Sequence, residues 1–363
     1  MKIITVLGTR PELIRLSRII PKLDKTCEHI LVHTGQNYDR RLNDIFFYDL
    51  MIRPVGYYMG AKGTMGEQIA TILKESEKIF KKEKPDKVLI LGDTNSGLAG
   101  IIAERMGIPV YHMEAGNRCY DKTVPEEVNR NIIDHISSYN FPYTPRSREN
   151  LIKEGIDRTK IITSGNPINE VLNYYRYNIE DSNILNKLKL ESKKYFLATF
   201  HRAETVDIKE RLEQIVKGLE LVGKKYKIPV ICSIHPRTLN KMIEFKINIK
   251  EILNDKNFVK FQEPFGFFDF VKLEKNALVT ISDSGTVAEE ACILGTPNII
   301  CRDTTERPET IEVGASILSG VNAENILRCT DIMIKKEYKW KQPEGYTDTN
   351  VSDKMIKYLM GRI

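Results

Sequence analysis

Long apolar runs are missing from this chain. Even its most apolar stretch, the opening MKIITVLGTRPELIRLSRII, is interrupted by Arg10, Glu12, Arg15 and Arg18, whereas a membrane-spanning helix needs about 20 consecutive apolar residues. No membrane span and no secretory leader is expected. Cysteine is sparse and scattered. Cys27, Cys119, Cys232, Cys292, Cys301 and Cys329 include no C-x-x-C pair and no histidine at zinc-ligand spacing, which argues against a disulfide scaffold or a structural zinc site and for a reducing cytoplasm. Several catalytic signatures are absent too. No G-x-G-x-x-G follows the first β-rich run, and there is no Walker motif, H-E-x-x-H or G-x-S-x-G. A tightly bound dinucleotide, a kinase, a metalloprotease and a serine hydrolase are therefore without support. Charge of one sign is also scarce: 55 Lys and Arg against 49 Asp and Glu leave a net +6. With no sustained basic block, nucleic-acid binding is not expected, while an anionic small substrate suits the balance.

What is present is a soluble globular mixture, 41% hydrophobic and 29% charged over 363 residues, long enough for two domains. Short β-rich runs alternate with amphipathic helical segments, the pattern of a parallel sheet wrapped by helices. The candidate strands are KIITVLG (2–8), HILVHT (29–34), KVLILGD (87–93), PVYHME (109–114) and KIITSG (160–165). Thr9 and Glu12 are spaced as a capping box, with Pro11 in the first turn of the helix they open. From 166 to 193 the pattern weakens into a polar, Asn- and Lys-rich segment that reads as a hinge. A second series follows: KKYFLATF (193–200), PVICSIH (229–235), ALVTISD (277–283) and TPNIICR (296–302). The expected fold is α/β, two Rossmann-like domains with a central cleft. The first would span 1–170 and be joined by a C-terminal helix near 350–363; the second would span 171–349.

Ligands of open α/β sheets bind beyond the carboxyl ends of strands, and here those ends are polar. Asp93 follows the third run, Glu114 ends the fourth, and Glu126 opens the helix after it. Three carboxylates on one edge would suit a reaction that needs both a proton acceptor and a proton donor; the bland alternative is that Asp93 and Glu126 cap helices and Glu114 is solvated. In the second series Ser282-Asp283-Ser284-Gly285-Thr286 joins a strand to a helix, so its N–H groups and hydroxyls could cradle a phosphate. Glu290 lies a turn or so further in, placed for ribose hydroxyls. Thr199-Phe200-His201-Arg202 ends another run, and Ser233-Ile234-His235-Pro236-Arg237 another.

Together these strings resemble the non-hydrolysing UDP-N-acetylglucosamine 2-epimerase family: GTRPE (8–12), GDTNS (92–96), HMEAGNR (112–118), PEEVNR (125–130), the HR at 201–202, HPR (235–237), SDSGT..EE (282–290) and TTERPE (304–309). The resemblance implies a glycosyltransferase-B-like fold, a UDP-amino-sugar substrate, a homodimer, and neither metal nor nicotinamide cofactor. It implies epimerisation at C2 by elimination of UDP and its re-addition. Asp93, Glu114 and Glu126 match the family's acid and base carboxylates and His201 its histidine beside the diphosphate. Arg10 and Arg307 match substrate-side cations, Ser284, Gly285 and Thr286 the phosphate loop, Glu290 the ribose carboxylate and Phe270 the ring near uracil. Arg15, also expected among the UDP- or substrate-binding residues, stands where the common form has Lys, DSGT where it has DSGG, and Phe265 where it has a Gln near uracil. The strings LVHTGQNYD (31–39), HMEAGNRC (112–119) and PFGFFD (264–269) look like the subgroup forming UDP-N-acetyl-L-fucosamine from the 6-deoxy-talose epimer for capsule or O-antigen. Gln36-Asn37-Tyr38 replaces the stretch that binds a regulatory UDP-sugar in some relatives. A glycosyltransferase of the same fold and a nucleotide-sugar-binding regulator are the alternative readings. Three carboxylates disfavour the transferase, which exchanges no carbon-bound proton.

Overall fold

A strand covered on both faces reads as a continuous apolar run rather than an alternating one, and Lys2–Leu7 (KIITVL, β1) does so, with Ile3 to Leu7 all buried. The computed structural model describes residues 1–36, 40–247, 257–335 and 339–361. After β1 come β2 (Glu28–His33), β3 (Tyr57–Tyr58), β4 (Lys87–Leu91), β5 (Val110–Met113) and β6 (Tyr139–Phe141). They pair in the order β3-β2-β1-β4-β5-β6, all parallel. Ile4, Val6, Val32, Val88, Ile90 and Val110 pack with helical Ile72 and Phe80 into one core beside this sheet.

The second series repeats the plan. Its strands are β7 (Phe196–Thr199), β8 (Val230–Ser233), β9 (Val259–Gln262), β10 (Val279–Ser282), β11 (Asn298–Ile300) and β12 (Ser316–Leu318). Their order is β12-β11-β10-β7-β8-β9, again all parallel. Read from the third strand of each series, both orders are the Rossmann order 3-2-1-4-5-6. The chain reverses direction across the sheet between β1 and β4 in one and between β7 and β10 in the other, and at such switch points ligands bind.

The described residues divide into two compact units, Met1–Tyr174 with Glu344–Ile363, and Tyr175–Pro343. The helix Val351–Met360 is anchored on the first unit: the Ser352 N–H donates to Glu170 at 2.8 Å and the Lys87 ammonium reaches the Leu359 carbonyl at 2.7 Å. Gly345 comes so close to the Tyr143 carbonyl that a Cβ there would lie 2.3 Å from its oxygen.

Three features differ from the sequence reading or add to it. KIITSG forms no strand: Ile161 makes an isolated bridge to Asn140, and the sixth position of the sheet belongs to Tyr139–Phe141. The polar segment 166–193 is largely helical, as Pro167–Tyr174, Arg176–Asp181 and Ile184–Lys187, with Ile168, Val171, Ile179 and Ile184 buried. The edge strands β3, β9 and β12 carried too little apolar sequence to be seen; β3 is two tyrosines long. Of the Gln36-Asn37-Tyr38 stretch, Asn37 and Tyr38 lie outside the described residues. All six cysteines are free thiols, and no helix among the described residues is long and apolar enough to cross a membrane.

Candidate active site

Both switch points carry the residues the sequence singled out. At the first, the chain leaves β1 through Gly8, whose missing side chain is a packing requirement: a Cβ there would lie 2.1 Å from Thr34 Oγ1 and 2.2 Å from Ser96 Oγ. Pro11 and Glu12 then start the helix Arg10–Leu16. Glu12 is buried, and its Oε2 accepts the Gly8 N–H at 2.6 Å and the Thr9 N–H at 3.1 Å. Its other oxygen accepts the Thr94 hydroxyl at 2.6 Å, tying the loop after β1 to the loop after β4. Burial lifts the Glu12 carboxyl from its ordinary 4.5 to about 7, against the opposing pull of these donors. The Arg10 guanidinium lies 5.6 Å over the Phe46 ring, a cation–π contact.

Glu114, one residue past β5, has a left-handed backbone with φ 68°. That conformation costs a non-glycine residue of the order of 1–3 kcal/mol and persists where the surroundings impose it. Here it aims the carboxylate inward. Arg15 NH1 donates to Glu114 Oε2 at 2.9 Å, both side chains 5% exposed, and the Tyr143 hydroxyl stands at 3.4 Å. The same oxygen would lie 3.8 Å from a Cβ on Gly92, so Glu114 sits beside the residue preceding Asp93.

Asp93 is 21% exposed, and Arg130 grips it with NH2 at 2.6 Å and Nε at 3.0 Å from one oxygen. Arg130 belongs to the helix Pro125–Ile136 and also holds Glu127 at 2.6 Å, both side chains 2% exposed. Glu127 in turn accepts the N–H groups of Cys119 and Tyr120. Glu126 is half-buried in the first turn of that helix.

Below this edge lies a buried chain of charges. His112 reaches the Gly92 carbonyl with Nε2 at 2.9 Å and Asp134 with Nδ1 at 2.9 Å; Asp134 meets Arg118 at 2.7 Å and accepts the Gly116 N–H. Burial alone would lower the His112 pKa, but Asp134 outweighs it and the imidazole lies above its ordinary value. On Asp134 burial pushes upward and is outweighed by His112 and Arg118, which hold the carboxyl low. The result is a charged clamp on the loops that present Asp93 and Glu114.

At the second switch point, Asp283 after β10 is fully buried and accepts the N–H groups of His201 and Arg202, which follow β7, at 3.1 and 3.0 Å. His201 Nδ1 stands 3.6 Å from the same residue, with the imidazole 37% exposed and 5.5 Å from the His235 ring. Burial raises the Asp283 carboxyl, opposed by the two N–H groups and by Arg202 and Arg302. Ser284 caps the helix Gly285–Leu294, with Thr286 in its first turn. Gly285 admits the close passage of Glu306: a Cβ there would meet Glu306 Oε1 at 2.6 Å. Glu306 is held by Arg302 at 2.6 Å and Arg202 at 2.9 Å, and Arg307 by Glu289 at 2.5 Å. Glu290 is 3% exposed in the same helix.

The phenylalanines of PFGFFD lie at a helix start. Phe267 and Phe268 open the helix Phe267–Asn276 and pack on Tyr175, at 6.3 and 5.5 Å between ring centroids, while Phe265 and Phe270 lie on a core around Tyr195 and Leu273. Arg130, Glu127, His112 and Asp134 were not assigned roles from sequence, although three of the four stand inside the quoted motifs, and Glu12, read there as a capping residue, also ties two loops together. Among the described residues, no three His, Cys, Asp or Glu side chains are grouped to hold a metal ion.

Two six-stranded parallel sheets wrapped by helices, each in the Rossmann order, are the two-domain glycosyltransferase-B-type fold shared with nucleotide-sugar 2-epimerases. The UDP-N-acetylglucosamine 2-epimerase family model matches residues 21–360, and the chain belongs to that family. It is 45% identical over 352 residues to the UDP-N-acetylglucosamine 2-epimerase of Methanocaldococcus jannaschii, covering 95% of each chain. It is 33% identical to the UDP-2,3-diacetamido-2,3-dideoxy-D-glucuronate 2-epimerase of Pseudomonas aeruginosa, covering 99% of each. The crystal structure of the M. jannaschii UDP-GlcNAc 2-epimerase in complex with UDP-GlcNAc and UDP superposes with a TM-score of 0.94 at 41% identity, covering 99% of both chains.

Proposed function

We propose that this protein interconverts the C2 epimers of a UDP-N-acetyl-amino-sugar, with UDP-N-acetylglucosamine and its manno epimer as the pair. The observation that carries the reading is the pairing of Asp93 and Glu114 with buried arginines at one switch point while Asp283, Ser284 and Gly285 join a strand to a helix N-terminus at the other. In the reaction a carboxylate takes the C2 proton, the C2–H electron pair forms the C1=C2 bond, and the C1–O bond breaks to release UDP. The C2 proton is only weakly acidic, so its removal must be coupled to departure of a good leaving group held by cationic and N–H donors. Re-addition of UDP at C1, with a proton delivered to the opposite face of C2, completes the inversion. Asp93, Glu114 and Glu126 are assigned the proton transfers, with Arg15 orienting Glu114. His201, Ser284, Gly285 and Thr286 are assigned the diphosphate, Arg10 and Arg307 the substrate side, Glu290 the ribose and Phe270 the uracil.

The second reading is a 6-deoxy substrate giving UDP-N-acetyl-L-fucosamine, supported by the strings HMEAGNRC and PFGFFD. Against it, Phe267 and Phe268 open a helix and pack on Tyr175 rather than standing in a loop that could receive a C6 methyl group. Incubation with UDP-N-acetylglucosamine in deuterated water tests the main reading: deuterium enters C2 and the manno epimer accumulates. Accumulation of free UDP and sugar in place of the epimer would refute it, and a higher kcat/KM for the 6-deoxy-talose derivative would favour the second reading.

A further inference from the structure

Glu274 lies in the helix Phe267–Asn276 and is completely buried. The Thr296 hydroxyl donates to its backbone carbonyl at 3.0 Å. Neither oxygen of its carboxyl group accepts a hydrogen bond from any donor among the described residues. What the carboxyl faces is another carboxyl, that of Glu290. Leu273 and Ala277 of the same stretch are also fully buried, in a core cluster with Tyr195 and Leu197. On the Glu290 helix the neighbouring Glu289 is turned to Arg307 at 2.5 Å.

Two carboxylates in contact, away from water, cannot both be ionised, and the stable arrangement shares one proton through a short charge-assisted hydrogen bond. We propose that Glu274 is a positioning residue: it stands as the neutral acid, donates its O–H to Glu290, and fixes the orientation in which Glu290 accepts the ribose hydroxyls of UDP. This rests on the assignment of Glu290 to the ribose made above. The chemistry is consistent at each atom. The Glu290 carboxylate has about four lone-pair sites; one takes the Glu274 proton, which leaves room for two ribose hydroxyls. Burial first, and the negative charge of Glu290 second, raise the Glu274 carboxyl well above its ordinary value. An apolar side chain at 274 would leave the Glu290 carboxylate with one donor fewer and free to turn away.

The test compares titrations of UDP and 2′,3′-dideoxy-UDP into the wild-type chain and into Glu274→Leu, Glu274→Gln and Glu290→Gln. The preference for UDP over the dideoxy nucleotide falls by about tenfold in Glu274→Leu, the loss of one hydrogen bond to a charged group, and stays within about threefold of wild type in Glu274→Gln, whose amide N–H replaces the O–H. Infrared difference spectra of wild type minus Glu274→Gln, in which the signal of any other protonated carboxyl such as Glu12 cancels, show a protonated-carboxyl band at neutral pH, a readout that survives if Glu274→Leu does not fold. An unchanged preference in Glu274→Leu, an equal loss in both variants at 274, or a missing band overturns the inference. Should Glu290→Gln keep the preference, the assignment of Glu290 to the ribose falls and this inference with it; should Glu290→Gln lose it while Glu274→Leu does not, only this inference falls.

Discussion

Replacing Arg130 by Met separates the two tasks of that residue. Its guanidinium is 2% exposed and joins Glu127, also 2% exposed, to Asp93, which is 21% exposed. Methionine fills much of the same space with no charge. Glu127 is then left in the interior with the two backbone N–H groups of Cys119 and Tyr120. Breaking a buried ion pair by removing one partner costs about 3–5 kcal/mol, and nearly all of it is assigned to Glu127, because water still reaches Asp93 and screens its share. For a unit of this size about 2–4 °C accompanies each kcal/mol, so calorimetry of Arg130→Met is expected to show the first unit melting roughly 6–20 °C lower. The double variant Arg130→Met with Glu127→Gln removes the stranded charge and recovers more than half of that loss. Turnover does not recover with it: Asp93 has lost the group that holds it, and kcat remains down by about tenfold or more, since a misplaced proton-transfer group forfeits much of the ~10² to 10⁴ it supplies. A single variant melting within about 2 °C of wild type, or a double variant no more stable than the single, would refute the reasoning, because either means that Glu127 does not depend on Arg130 for its charge.

Asp93→Asn, Glu114→Gln and Glu126→Gln each lower kcat by at least ~100-fold while UDP affinity stays within about threefold, as expected of proton-transfer groups; calorimetric titration showing UDP binding lost together with rate would make them structural. Gly285→Ala drives a Cβ to 2.6 Å from Glu306 Oε1, displaces the Arg202–Glu306–Arg302 cluster and weakens UDP binding by about tenfold through a few lost or lengthened hydrogen bonds; unchanged affinity separates that turn from the diphosphate. Glu12 has a folded pKa of about 7 against an ordinary 4.5, so the folded state binds the extra proton between those values and stability falls as pH rises through the window, by about 3 kcal/mol in all. Denaturant titrations from pH 5 to pH 8 show a slope that is smaller in Glu12→Gln than in the wild type by that amount; an equal slope in both places the effect elsewhere.

The doubly wound halves were legible because their central strands are buried on both faces, which forces unbroken apolar runs such as KIITVL and KVLIL. Edge strands meet a weaker demand, so Tyr57–Tyr58 and Ser316–Leu318 carry no such run and were missed. KIITSG misled for the opposite reason. Its apolar residues are real, and Ile161 is 4% exposed, but it packs with Ala115 and Leu151 in a small cluster of its own, with one bridge to the sheet. The segment 166–193 concealed its short helices because their few apolar positions are spaced too unevenly to show a period, and the division between the two units falls inside it.

Adjacent glutamates mark where the sequence could not be resolved into roles, and they do so twice. In PEEVNR and in TVAEE, two consecutive glutamates sit on one helix, about 100° apart around its axis. One member of each pair is turned into the interior against an arginine, Glu127 to Arg130 and Glu289 to Arg307. The other faces a different direction: Glu126 lies half-buried in the first turn, and Glu290 meets Glu274. A motif records only that both are acidic, whereas the division of labour depends on the phase of the helix and on which arginine the topology delivers. That delivery comes from far along the chain for Glu289, whose partner follows β11, and from one turn away for Glu127, whose partner continues to Asp93. The same physical device, an arginine that neutralises one glutamate of the pair, thus stands at both switch points, acting on the first turn of the helix through Glu127 and on the second through Glu289.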